Sequence, residues 1–150
     1  MREHTVYVDF YDKYFACDTD KRMTDLHVFL IASCVAILRA STSFKNHVKD
    51  VDSSISMVAV PDLTIDATMP DIYTPFFNIE CETGFKHHYD DLIARIKLSK
   101  KTVIVVLPNA QIKKRYVKHC SVRIRRLRFC TVGELHDTVY QVFRSLGNKK

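Results

Sequence analysis

Three acidic residues lie in or beside two short segments whose alternating pattern predicts β-strands. Asp62 precedes one segment, 63–67, and Glu80 and Glu82 belong to the other, 76–82. Residues two apart in a strand point to the same face of the sheet, so Glu80 and Glu82 share a face. Carboxylates on one face can hold a divalent cation, since hard cations prefer oxygen ligands.

The two segments predict an antiparallel hairpin with its turn near Ile72. In that hairpin Asp62 lies opposite Glu82 and diagonal to Glu80, within about 7 Å of it. Asp71 falls in the turn and away from the cluster. The sequence therefore predicts three converging carboxylates that would bind Mg²⁺ or Mn²⁺; the alternative is a sheet face on which acidic residues simply meet water.

The residues around these carboxylates resemble the restriction-endonuclease-like superfamily of nucleases. The pattern of that family is a Pro-Asp pair, a variable gap and then (D/E)xK, on consecutive strands. Pro61-Asp62 corresponds to the first element, and Glu80-Cys81-Glu82 corresponds to the second as ExE. The resemblance covers about residues 20–131 and departs from the pattern at Glu82, where the family usually has lysine.

The resemblance implies an α/β fold with a central mixed β-sheet, built from a three-strand meander and two further strands and flanked by helices. It also implies that the metal ligands are Asp62, Glu80 and the backbone carbonyl of Cys81, and that Glu82 holds or activates the attacking water. A lysine on the following helix, Lys86 or Lys97, is the candidate for electrostatic support.

The order of hydrophobic patterns agrees with such a fold. Helices are expected at about 20–40, 89–99 and 110–119, and a last helix follows a capping box at 131–134 and buries Leu135, Val139, Val142, Phe143 and Leu146. Strands are expected at 55–60, 63–67, 76–82, 102–107 and 122–130, and the polar segment 41–52 is expected to be turns. The run 102–107 should be a strand buried on both faces.

Charge is divided unevenly along the chain. Residues 1–91 carry 15 acidic and 8 basic side chains, a net charge of −7, whereas residues 92–150 carry 15 basic and 2 acidic ones, a net charge of +13. An enzyme that acts on a polyanion needs carboxylates for cations and Lys or Arg for phosphates.

The densest basic region lies between residues 112 and 129. A stripe of this kind would contact backbone phosphates with little reading of sequence. The alternative is a solvated helix followed by an edge strand that charge protects from aggregation. The residues expected to bind nucleic acid are Lys86, Lys97, Lys113, Lys114, Arg115, Lys118, Arg123 and Arg125.

Length and composition favour one α/β domain over residues 1–150 that stays inside the cell. The longest apolar run, 28–38, is shorter than the about 20 residues that a bilayer requires, and it does not resemble a secretory signal. The five cysteines include no CxxC pair, which favours reduced thiols in the cytoplasm.

The sequence thus predicts a divalent-metal-dependent nuclease that acts on DNA and needs Mg²⁺ or Mn²⁺. A homodimer is possible, since many enzymes of the family use two sites to cut two strands. Two alternatives stay open. One is a non-catalytic nucleic-acid-binding or assembly protein that retains the fold, and the other is a small interaction domain whose acidic and basic halves dock on a partner.

Overall fold

A computed structural model describes residues 25–57, 71–84, 89–120 and 126–147 of the chain. The helices in these ranges are α1 (Asp25–Ala40), α2 (Thr42–His47), α3 (Tyr89–Leu98), α4 (Ala110–His119) and α5 (Leu135–Gly147), with short 3-10 turns at Asp52–Ser54 and Val132–Glu134. The strands are β1 (Ser56–Met57), β2 (Ile72–Tyr73), β3 (Phe77–Cys81), β4 (Thr102–Leu107) and β5 (Leu127–Thr131).

Within the described ranges, these strands form one mixed sheet in the order β1-β2-β3-β4-β5. The first three strands are an antiparallel meander, and β3, β4 and β5 are parallel to one another. Parallel neighbours need a crossover connection, which α3 and α4 supply. The predicted α/β class, with a mixed sheet flanked by helices, is confirmed.

Two helical layers cover the sheet, one on each face. Helices α1, α2 and α5 pack on Ile104 and Val106 of β4, whereas α3 and α4 pack on Val103, Val105 and Leu107. Strand β4 is therefore buried on both faces, as its continuous β-branched run predicts. No helix in the described part of the chain has the length and apolarity needed to cross a membrane.

The meander differs from the prediction in its second strand. The predicted turn near Ile72 is wrong, because Ile72 and Tyr73 themselves pair with Ile79 and Asn78 of β3. The turn follows at Thr74, whose Oγ1 accepts a hydrogen bond from the N–H of Phe77 at 3.0 Å. The predicted strand 63–67 lies outside the described residues.

Two further predictions need correction. The segment predicted as turns contains α2, because Ser41 caps the N-terminus of this helix, with its Oγ accepting from the N–H of Phe44 at 3.2 Å, and Phe44 is buried in the core. The capping box of Thr131 and Glu134 is confirmed before α5. Leu146, expected on the buried side of α5, is instead 40% exposed near the end of the helix.

Candidate active site

Two predicted carboxylates lie at the carboxyl end of β3, on the face that α3 and α4 cover. Side chains of β3 alternate, and Phe77, Ile79 and Cys81 enter the core beneath α1 and α5. Glu80 points the other way and is almost completely buried, and Glu82 follows the strand and is partly buried. The shared face predicted for Glu80 and Glu82 agrees with their common partner, Arg95 on α3.

A third carboxylate, Asp71, joins them immediately before β2. Its Oδ2 accepts a hydrogen bond from the backbone N–H of Cys81 at 2.8 Å. The same oxygen lies 3.2 Å from Nε2 of His27 on α1. The prediction that Asp71 misses the cluster is wrong, because the observed register brings the start of β2 next to the end of β3. Asp62, the predicted carboxylate, lies outside the described residues.

Arg95 on α3 provides the cation of this cluster. Its Nε lies 3.4 Å from Oε1 of Glu80, and its Nη2 donates to Oε1 of Glu82 at 3.2 Å. One arginine therefore bridges both glutamates. Of the lysines predicted for electrostatic support, Lys97 is exposed on α3 and Lys86 lies outside the described residues.

His27 on α1 is a second partner of the cluster, and it is cationic when its imidazole is protonated. Its Nε2 lies 3.2 Å from Oδ2 of Asp71, the oxygen that also accepts from the N–H of Cys81. His27 therefore lies beside Cys81, whose backbone oxygen was predicted to be a metal ligand. Seven residues further along α1, Cys34 places its Sγ 3.8 Å from the Sγ of Cys81, so one face of α1 contacts this end of β3.

Burial and mutual repulsion alter the acidity of the cluster. Burial raises the pKa of Glu80 well above its usual value, and the nearby Asp71 and Glu82 raise it further against the opposing effect of Arg95. Burial also raises the pKa of Glu82. For His27, burial lowers the pKa, but the contacts with Asp71, Glu82 and the Cys81 backbone outweigh it and the net shift is upward. Glu80, Glu82 and His27 therefore hold their protons more tightly than the same side chains do in water.

We expect the free energy of unfolding to increase as the pH is lowered from about 7 to about 5. Glu80, Glu82 and His27 all have raised pKa values in the folded chain, so the stability they contribute is present below the unfolded values, 4.5 for glutamate and 6.5 for histidine, and is lost as pH rises through the folded values. Urea unfolding across this range measures the effect.

The matched variant for this pH series is Glu80→Gln, in which the slope should be shallower because one of the three groups no longer titrates. Glu134 does not disturb the comparison. Hydrogen bonds from the Thr131 backbone and from Lys113 lower its pKa to about 2, so it titrates in more acidic solution. A wild-type chain that loses stability between neutrality and about pH 5 would contradict the raised pKa values of Glu80, Glu82 and His27.

Helix α4 closes the site from the side of Glu82. The hydroxyl of Tyr116 donates to Oε2 of Glu82 at 3.4 Å, and Nη2 of Arg115 donates to the carbonyl of Gly84 at 3.0 Å. Gly84 has a φ of +85°, and a Cβ built on it would lie 2.7 Å from Nη2 of Arg115 and 3.0 Å from Cγ2 of Ile112. The positive φ therefore favours glycine at this position, and a side chain here would also crowd Ile112 and move the end of Arg115.

Replacing Gly84 with alanine is expected to destabilise the protein by about 2 kcal/mol, chiefly through backbone strain at the positive φ. Chemical denaturation compared with Gly133→Ala provides the measurement. At Gly133 the nearest heavy atom to a built Cβ is 4.0 Å away and φ is not positive, so this control should remain close to the wild-type stability. Equal midpoints for the two variants would show that the turn at Gly84 is not strained by a side chain.

Sequence reasoning missed Arg95, His27 and Tyr116, although a weak signal was present for the first. Arg95 lies three residues after the buried Leu92 and so borders the apolar stripe of α3. His27 and Tyr116 gave no comparable signal, because a histidine in an apolar helix and a tyrosine in a basic one are common core residues.

The basic residues predicted to bind nucleic acid fall into three groups. Two make contacts within the chain: Lys113 pairs with Glu134 at 2.9 Å, and Arg115 binds the carbonyl of Gly84. Others are exposed on helices, namely Lys97, Lys114 and Lys118. Lys86, Arg123 and Arg125 lie outside the described residues.

The donor chemistry of the cluster fits a hard divalent cation, because Asp71, Glu80 and Glu82 offer carboxylate oxygens and Cys81 offers a carbonyl. The raised pKa values of the two glutamates arise first from burial, to which the nearby Asp71 adds, against the opposing effect of Arg95. Across the described ranges, however, no three His, Cys, Asp or Glu side chains are grouped so that they could hold a metal ion. In the structure the carboxylate oxygens of Glu80 and Glu82 pair with Arg95, and that of Asp71 pairs with His27.

Comparison with known proteins adds no assignment: no family model, curated protein or solved structure matches the chain.

Proposed function

We propose that this chain is a divalent-metal-dependent nuclease of restriction-endonuclease-like fold that hydrolyses phosphodiester bonds in DNA. The observation that carries the proposal is the meeting of Asp71, Glu80 and Glu82 at adjoining ends of β2 and β3, where burial and repulsion raise the pKa of both glutamates. A cluster of this kind attracts cations and can place them beside a phosphate.

The order of elements supports the proposal. Helix α1 is followed by the meander β1-β2-β3, then by α3 and the parallel strand β4, which is the order that the resemblance implies. The motif pattern requires its first acid and its ExE element on consecutive strands. The second Pro-Asp pair in the sequence, Pro70-Asp71, is compatible with this pattern, since Asp71 immediately precedes β2 and accepts a hydrogen bond from β3.

In this proposal Asp71, Glu80 and the carbonyl of Cys81 hold the cation, and Glu82 holds or activates the attacking water. A bound Mg²⁺ or Mn²⁺ would lower the pKa of that water and neutralise charge on the phosphate. Tyr116 orients Glu82 through its hydroxyl, and Arg95 provides the positive charge that the motif usually draws from lysine. Lys97, Lys114 and Lys118 are exposed for contacts with backbone phosphates.

The test is cleavage of linear, circular and branched DNA, and of RNA, in the presence of Mg²⁺, Mn²⁺ or EDTA. We expect cleavage of DNA that EDTA abolishes. Asp71→Asn should lower the rate at least about 100-fold, since even residues that only support metal ligands contribute 10- to 100-fold. Asp62→Asn is the matched variant from the first Pro-Asp pair and should retain most of the activity.

Cleavage that persists in EDTA, or that Asp71→Asn leaves unchanged, would contradict the proposal. If Asp62→Asn is inactive and Asp71→Asn is active, the nuclease activity is supported. The first metal ligand is then Asp62, the residue that the sequence alone predicts, and not Asp71.

One observation favours a second candidate, a non-catalytic nucleic-acid-binding protein of the same fold. Glutamate replaces the lysine of the motif at position 82, and Arg95 already pairs with both glutamates. Salt-sensitive binding of DNA with no cleavage under any metal would favour this candidate, because contacts between lysine and phosphate release counterions whether or not chemistry follows.

A further inference from the structure

A cavity of about 270 Å³ lies beside Glu80, between the β2-β3 hairpin and the end of α3. Glu80 and Arg95 line it, so it is continuous with the carboxylate cluster. Its size is near the lower limit for small-molecule sites, roughly 300 Å³, which suits one nucleotide unit and excludes a double helix. The cavity is therefore placed to receive the part of a substrate that adjoins a phosphate at Glu80.

The end of the cavity far from Glu82 is positively charged. Lys100 and Lys101 line it, and both are exposed. The Nζ of Lys101 donates to the carbonyl of Thr74 at 2.9 Å, which fixes the ammonium against the hairpin and uses one of its three N–H groups. An anionic group in the cavity would thus meet an ammonium whose position is already fixed.

Asn78 gives the cavity a hydrogen-bond acceptor of defined orientation. The hydroxyl of Ser99 donates its single proton to the carbonyl of Lys101 at 2.9 Å, so Ser99 can only accept from Asn78, whose Nδ2 lies 3.4 Å away. The Oδ1 of Asn78 then remains as an acceptor, shielded from solvent and without a hydrogen-bond partner among the described residues. Such an acceptor is costly to leave unpaired, and a ligand N–H would satisfy it.

The face around Asn78 also suits a flat ring. Tyr73 is the cross-strand partner of Asn78, so the two side chains lie on the same side of the sheet, and both line the cavity. The hydrogen bond from Nδ2 of Asn78 to Ser99 is long, at 3.4 Å, and the terminal torsion of asparagine is broad. Rotation about that torsion turns the buried Oδ1 towards the cavity in exchange for this weak bond. An aromatic side chain beside a polar acceptor is the usual arrangement for an unpaired base.

We propose that this cavity binds one unpaired nucleotide of the strand next to the phosphodiester at Glu80. Asn78 Oδ1 accepts a hydrogen bond from an N–H group of the base, Tyr73 packs on the ring, and Lys100 and Lys101 bind the adjoining phosphate. The inference rests on the proposed function for the identity of the ligand as nucleic acid. It makes single-stranded or branched DNA the substrate class, because a base within a duplex is stacked and its edge is already paired.

The test measures binding in EDTA, so that no cleavage is needed. The probe is a short strand of abasic units with one central adenine, and its partner carries unsubstituted purine, which lacks the exocyclic amino group. In fluorescence anisotropy the wild-type chain should bind the adenine probe roughly tenfold more tightly, as expected for one hydrogen bond to a buried acceptor. Because this comparison changes only the ligand, it does not depend on the folding of a variant.

Asn78→Leu should abolish the preference for adenine, whereas Asn46→Leu, at an exposed position on α2, should retain it. Equal binding of the two probes by the wild-type chain would overturn the proposal, as would a preference that survives in Asn78→Leu. Metal-dependent cleavage without a preference for adenine would refute base binding in the cavity and support the nuclease activity. A preference for adenine without cleavage would support base binding and refute the nuclease activity.

Discussion

Replacing Glu80 with glutamine is expected to reduce metal-dependent cleavage by at least about 100-fold, the loss that a group acting directly in the reaction typically causes. Glutamine has the same shape but carries no charge, so it can no longer attract a cation. Its amide oxygen can still lie against the Nε of Arg95, and the fold should remain intact. Single-turnover cleavage of labelled DNA measures the loss of catalysis, and a thermal unfolding curve measures any loss of folding.

The matched control is Asp137→Asn, which removes one exposed carboxylate from the first turn of α5, in the layer on the opposite side of the sheet. Its cleavage rate should equal that of the wild-type chain. If Glu80→Gln cleaves as fast as this control, Glu80 is a structural carboxylate and the proposed function fails. If it is inactive and also unfolded, Asp71→Asn supplies the corresponding test at a carboxylate that is less buried than Glu80.

The second large effect is expected at Arg95. Replacing it with methionine should destabilise the protein by about 3 kcal/mol at neutral pH, because two buried carboxylates then lose their shared cation. Side-chain exposure is only 6% for Glu80, 18% for Glu82 and 22% for Arg95, so water cannot replace the lost guanidinium fully. Guanidinium or urea unfolding at pH 7 measures the change.

Two comparisons make this result specific to charge. Lys97→Met, two residues away on the exposed face of α3, should change stability by no more than about 0.5 kcal/mol. The double variant Arg95→Met with Glu80→Gln should be more stable than Arg95→Met alone, since removing both partners leaves fewer unpaired buried charges. If Arg95→Met is as stable as Lys97→Met, the ion pairs contribute nothing and the glutamates must be neutral at pH 7.

Local patterns in the sequence determined most of the elements. The apolar spacing of α3, the β-branched run of β4, the bounds of α4 and the capping box before α5 each depend on residues within one or two turns of each other, and all four predictions are confirmed. The common face of Glu80 and Glu82 could also be predicted from a local pattern, because side chains two residues apart in a strand point to the same side.

Only the tertiary structure decided which other residues meet these two glutamates. The register of β2 against β3 depends on where the turn forms, and the observed turn at Thr74 brings Asp71 to the cluster. Sequence distance gives no information about Arg95 on α3 or His27 on α1, which arrive from opposite layers of the sheet. Contacts of this kind arise from the packing of whole elements, and no short window of residues contains the distances that set them.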